Sequence, residues 1–121
     1  MLLINHIRTA AEKISGKSLK LIQNPSSAEG NSWWVNNAST GDRTSIHDHS
    51  VHAVYSGVYY LRVPQNSGNI IFHPNEGEEF DMKPAAGLFI LFPPRLKHSV
   101  EVNKVGTERV SLAFNFYPAV G

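Results

Sequence analysis

Along the first sixteen residues, apolar side chains recur at close to helical spacing (Leu2, Leu3, Ile7, Ala10, Ala11, Ile14), and Gly16 follows. This period predicts a short amphipathic helix over residues 1–16, stopped by the glycine and covering a core with its apolar face. Ser18 to Gln23 reads as a first strand, and Asn24-Pro25-Ser26-Ser27-Ala28-Glu29-Gly30-Asn31 as a loop. Beyond that loop the pattern becomes one of short β-rich runs parted by turn residues. Strands are expected at Ser32 to Asn37, around Thr44 to Ser50, and over Ala53 to Val63, the longest run of β-branched and aromatic residues. Further strands are expected at Ile70 to Phe72, Glu78 to Met82, Leu88 to Phe92 and Arg109 to Tyr117. Glu78 to Met82 is polar and reads as exposed, whereas Leu88 to Phe92 is apolar throughout and reads as buried on both faces. In Arg109 to Tyr117 the residues alternate. Arg109, Ser111, Ala113 and Asn115 share one face, and Val110, Leu112, Phe114 and Phe116 form an apolar face suited to packing against the helix. About eight short strands after one helix predict a mainly β sandwich or barrel, formed as one domain over residues 1–121.

Composition narrows the chemistry. The 121 residues carry a net charge of +1 without a basic stripe, so nucleic acid is not an expected partner. No apolar run reaches the length of a membrane span, and no long h-region accompanies Arg8, so neither a membrane anchor nor a signal peptide is expected and a cytoplasmic home fits. Without cysteine, any metal must be held by histidine and carboxylate.

The stretch Thr44-Ser45-Ile46-His47-Asp48-His49-Ser50 is where such chemistry would sit. On a strand, His47 and His49 project from one face and Asp48 from the other, so Asp48 is not expected to be a ligand. Two imidazoles on one face either face water or share a metal ion. His98 is the third candidate. It follows the apolar strand and the rigid turn Pro93-Pro94-Arg95, and in a jelly roll a late strand can face an early H-x-H strand across the barrel mouth. Arg109 and Ser111 either line the same cavity or face water on an edge strand. His6 and His73 have no evident partner, His52 reads as a solvated loop residue or a substitute ligand, Trp33 and Trp34 read as core and rim packing, and Asn36 or Asn37 could line the pocket.

Gly41 with five residues before His47-x-His49, and Gly87 with five residues before Pro93 and then His98, resemble the two halves of the cupin metal motif. Ala53 or Val54 stands where that motif has its glutamate, and Arg95 where it has glycine. A second resemblance is closer. Ten residues separate His98 from Arg109-Val110-Ser111, and Fe(II)- and 2-oxoglutarate-dependent oxygenases carry H-x-D/E, a distal His and R-x-S at such a spacing. Taken together, WWVNN, HDH, SGVYYL, SGNIIF, AGLFILFPPRLKHSV and ERVSLAFN resemble the short bacterial and phage type of 2-oxoglutarate/Fe(II)-dependent oxygenase, from Trp33 to Phe116. Ser50 replaces the proline of that family's HxHP.

The resemblance implies a double-stranded β-helix, a cupin-like jelly-roll barrel with one N-terminal helix. It implies Fe(II) held by His47, His49 and His98, with 2-oxoglutarate bound through its distal carboxylate by Arg109, Ser111 and Tyr60. The implied reaction uses molecular oxygen to hydroxylate a small-molecule or peptide substrate, with release of succinate and CO2. A cupin-like module that binds a metal and a small ligand without turnover is the alternative, and a purely structural jelly roll is a third. Exposed edge strands would also leave room for a homodimer.

Overall fold

The computed structural model describes residues 2–22, 32–47 and 53–119. Helix α1 (Leu2–Ser15) opens the chain, and Gly16, at φ 71°, ends it in the left-handed conformation that favours glycine. The Gly16 amide donates to the Glu12 carbonyl at 2.8 Å, closing the last turn. A helix of this length is marginal on its own. It is held by burial of Ile4, Ile7 and Ala11 against the sheet, each isoleucine contributing about 1.5–3 kcal/mol. Glu12 adds a tether, since one carboxylate oxygen accepts from Arg8 and the other from the Leu19 amide, both at 2.9 Å.

Nine strands follow among the described residues: β1 (Leu19–Lys20), β2 (Trp33–Ala38), β3 (Thr44–His47), β4 (Tyr55–Arg62), β5 (Ile70–His73), β6 (Phe80–Met82), β7 (Phe89–Phe92), β8 (Lys97–Val100) and β9 (Arg109–Pro118). All pairings are antiparallel. One sheet runs β7-β4-β9, with β2 and β1 lying end to end along the far edge of β9. The other runs β3-β8-β5-β6. From β2 onward the chain crosses repeatedly between the two sheets, which is the wiring of a double-stranded β-helix. No described helix is long and apolar enough to cross a membrane.

Two cores result. Leu112, Phe114 and Phe116 of β9 pack under α1, with Phe114 and Phe116 stacked at 5.6 Å and Phe89 edge-on to both. Ile70, Phe72, Ile90, Phe92 and Tyr60 fill the space between the sheets. Strand β7 serves both cores. Ile90 and Phe92 point into the barrel, and Phe89 and Leu91 point toward the helix side. The expectation of a strand covered on both faces is met.

Several strands are shorter than expected, β1 and β6 among them. Among the described residues of the expected Ser18 to Gln23 strand, only Leu19 and Lys20 pair with β9, because the Ile22 amide donates to Ser32 Oγ at 2.6 Å and turns the chain toward β2; Gln23 lies outside the described residues. Glu78 and Glu79 stay outside β6. The Glu78 amide closes a turn on the Asn75 carbonyl at 3.0 Å, so the strand begins at Phe80 and is exposed as expected. The 24–31 loop lies outside the described residues.

Candidate functional site

The barrel encloses a cavity of about 360 Å³ between the sheets, lined among others by Trp34, Asn36, Tyr60, His98 and Arg109. A roomier depression of about 520 Å³ lies between α1 and β1, but it gathers no histidine, and its Arg8 is already paired with Glu12. Of these two, it is the barrel cavity that brings a buried histidine, guanidinium and phenol together.

Strand β9 places the first of them. It is flanked by β4 on one side and β2 on the other, so it is no edge strand, and its polar row faces the second sheet, with Arg109 and Ala113 on the cavity wall opposite Ile70, His98 and Val100. Arg109, Ser111, Ala113 and Asn115 are all buried. The Asn115 amide oxygen accepts from Ser56 Oγ at 2.8 Å. Ser111 stands in register with Tyr60 of β4 and Asn36 of β2. Beyond Tyr60 the register shifts by a bulge, after which Arg62 faces Val110.

Arg109 is only 6% exposed. Its Nη1 donates to the Ser67 carbonyl and, at 3.5 Å, to that of Gly68. Among the described residues no carboxylate lies within ion-pair distance of it. A buried cation neutralised only by backbone dipoles is costly, which makes an anion a favourable addition. Burial lowers the pKa of Arg109, and the neighbouring Tyr60 works against that shift. Burial pushes the Tyr60 phenol up to about 12, with Arg109 pulling it down. Tyr60 is therefore a neutral O–H donor at physiological pH.

His98 is 4% exposed and stands edge-on to Phe92 at 5.0 Å, with Phe72 at 6.2 Å. Its Nδ1 lies 3.1 Å from the Leu96 carbonyl. A carbonyl only accepts, so this contact places a proton on Nδ1, which in the neutral ring makes Nε2 the nitrogen that carries the lone pair. A backbone carbonyl that fixes the tautomer and aims the ring is the usual support of a metal-binding histidine. The backbone register sets His47 of β3 directly opposite His98 of β8, after an irregularity between Thr44 and His47. Asp48, His49 and His52 lie outside the described residues, and among the described residues no three metal-binding side chains come together. What is described fits iron and a dicarboxylate: the His98 imidazole held by a backbone carbonyl, a second histidine opposite it in backbone register, and a buried guanidinium and phenol in the same cavity as His98.

Of the remaining candidates, Asn36 and Asn37 both line the cavity. Trp33 packs against the helix-side core, while Trp34 turns into the cavity wall. His73 does have partners. Its Nε2 lies 2.9 Å from Ser99 Oγ, and its Nδ1 3.7 Å from Glu79. His6 is exposed on the helix.

Two features have no counterpart in the sequence reading. One is the backbone of Ser67 and Gly68, which receives Arg109. The other is Asn103, fully buried, whose amide nitrogen donates to the Ala38 carbonyl at 2.8 Å and the Thr107 carbonyl at 3.1 Å, while its oxygen accepts from the Val105 amide at 3.0 Å. It pins the end of β2 to the loop that leads into Arg109. A lone asparagine in a polar loop carries no signal of this in sequence.

A family model described as "Putative 2OG-Fe(II) oxygenase" matches residues 32–81 and 73–115, more than half of the chain. No protein of curated function matches the sequence. Among solved structures, a 2OG-Fe(II) oxygenase family oxidoreductase from Burkholderia pseudomallei is similar at a TM-score of 0.74 and 17% identity, covering 94% of this chain and 53% of that one. A prolyl-4-hydroxylase from Pseudomonas putida follows at 0.68 and 21%, covering 96% and 63%. The cupin domain of Drosophila melanogaster CENP-C is similar at 0.58 and 13%, covering 80% and 74%. The chain thus spans between half and two thirds of the length of the two oxygenase structures, and these likenesses establish a shared double-stranded β-helix. With the family pattern running through β2, β4, β8 and most of β9, the chain belongs to the 2OG-Fe(II) oxygenase family.

Proposed function

We propose that this protein is an Fe(II)- and 2-oxoglutarate-dependent dioxygenase that hydroxylates a small-molecule or peptide substrate, and that His47, His49 and His98 hold the metal. The observation that carries the reading is Arg109, a buried cation with no carboxylate partner among the described residues, in one cavity with Tyr60 and the oriented His98. When bound, the iron and 2-oxoglutarate supply the oxidising chemistry, in which O2 is consumed, one oxygen enters a C–H bond, and succinate and CO2 are released. The protein's own groups bind and orient. Arg109 has five N–H donors, and its seat on Ser67 and Gly68 occupies Nη1, so Nε and Nη2 keep three for a distal carboxylate. Tyr60 adds an O–H, protonated at any physiological pH, and Ser111 a hydroxyl from the same face. Phe72 and Phe92 pack against the His98 ring and keep water from its inner side.

The same fold in a cupin domain supports a second reading, a metal-binding module that holds a ligand without turnover. Anaerobic titration of the Fe(II)-loaded protein with 2-oxoglutarate separates the two. A visible metal-to-ligand charge-transfer band that saturates is the expected result. Its absence, with iron bound, would leave the module.

A further inference from the structure

The loop joining β4 to β5 carries no acid, base or metal ligand, yet it is built around Arg109. Ser67 is 1% exposed, and its carbonyl, with that of Gly68, accepts from Nη1. Gly68 has φ 103°, a conformation that L side chains rarely adopt. A Cβ placed on it would lie 2.4 Å from the Glu101 carbonyl oxygen and 3.0 Å from Arg109 Nη1. Neither atom can give way easily, since one is backbone and the other is held by two carbonyls. The loop is itself stitched to the segment after β8. The Glu101 amide donates to the Asn69 carbonyl at 3.0 Å, and the Asn69 amide donates back to Glu101 Oε1 at 2.9 Å.

We infer that the Ser67 and Gly68 carbonyls form a rigid seat that aims the Arg109 guanidinium, and that Gly68 is a positioning residue for recognition of the co-substrate's distal carboxylate. The inference rests on the oxygenase reading of Arg109. A planar guanidinium grips a carboxylate through one edge only, in two parallel bonds. With Nη1 committed to the loop, the edge that remains and the depth at which it lies follow from where the loop backbone stands. A side chain at position 68 must move either the loop or the guanidinium, and either movement turns that edge away.

The test compares two 2-oxo acids in the Fe(II)-loaded protein: 2-oxoglutarate, and 2-oxobutyrate, which shares the 2-oxo acid end and lacks the distal carboxylate. In wild type, 2-oxoglutarate should bind at least about tenfold more tightly. Gly68→Ala should lose most of this preference with iron stoichiometry and 2-oxobutyrate affinity unchanged. Gly77→Ala is the control for backbone strain, because Gly77 has φ 80° with nothing within 4 Å of its added Cβ; it should keep the preference. No preference in wild type would remove the oxygenase reading itself. A preference that survives in folded Gly68→Ala, or that Gly77→Ala loses equally, would overturn the role of Gly68. Should Gly68→Ala not fold, nitrogen NMR of wild type without co-substrate decides. Slow rotation and slow proton exchange at Arg109 Nη1 are expected, and a freely rotating guanidinium would overturn the seat.

Discussion

Replacing Arg109 by alanine is the perturbation that most directly separates an oxygenase from a ligand-holding cupin. Two effects on the fold oppose each other. The substitution removes a buried cation, which favours the variant, and it leaves the buried Ser67 carbonyl without its donor, which costs about 1–3 kcal/mol. The two are of similar size, so the melting temperature should move little. Binding has no such compensation. A charge-assisted hydrogen bond is worth about 1.5–3 kcal/mol, and about 1.4 kcal/mol is a factor of ten, so loss of one bond weakens 2-oxoglutarate binding by at least about tenfold. Loss of a bidentate pair should approach a hundredfold or more. Arg109→Lys keeps the charge without the fork and should recover only part of the loss. Iron stoichiometry should stay unchanged in both variants, since Arg109 is no metal ligand. The assay is the charge-transfer titration of wild type and both variants under anaerobic conditions. Equal affinity in all three would refute the reasoning and leave the cupin-like module.

Replacing His49 and His98 together by alanine should abolish retention of one divalent ion per chain by mass spectrometry, while Asp48→Asn retains it; full retention in the double variant would remove the proposed ligand set. Tyr60 should leave a signature in alkaline stability. Its folded pKa of about 12 lies above the ordinary 10, so the neutral phenol contributes stability that is fully present below pH 10 and is lost as pH rises toward 12. The loss is on the order of 2–3 kcal/mol from about 1.4 kcal/mol per unit, and Tyr60→Phe should lack this component when the two unfolding curves are compared across that window. Asn103→Ala should destabilise the protein by roughly 2–4 kcal/mol in denaturant unfolding, because it leaves the Ala38 and Thr107 carbonyls and the Val105 amide without their partner. A change under about 0.5 kcal/mol would mean that water replaces the side chain at no cost.

Local periodicity was enough for several parts of this protein. The helix and its end at Gly16 follow from apolar spacing and one glycine, and the two-sided burial of β7 from an unbroken apolar run. The division of β9 into an apolar row that packs under the helix and a polar row on the opposite face follows from alternation, because each residue's face depends only on its parity along the strand. The spacing of His47, His98 and Arg109 also carried the family resemblance that the matched residues 32–115 bear out. Tertiary structure alone decided what those residues meet. That β9 is an interior strand depends on β2 pairing along its far side, and that its polar row is buried depends on the second sheet closing over it across the cavity. That Trp33 joins the helix-side core while Trp34 lines the cavity depends on the register of the same pairing. The seat of Arg109 was illegible for a more basic reason. Its acceptors are backbone carbonyls 41 and 42 residues away, and every residue has one, so no side chain at Ser67 or Gly68 announces the contact. Only the approach of the β4–β5 loop to the start of β9 creates it, and the positive φ of Gly68 makes that approach possible.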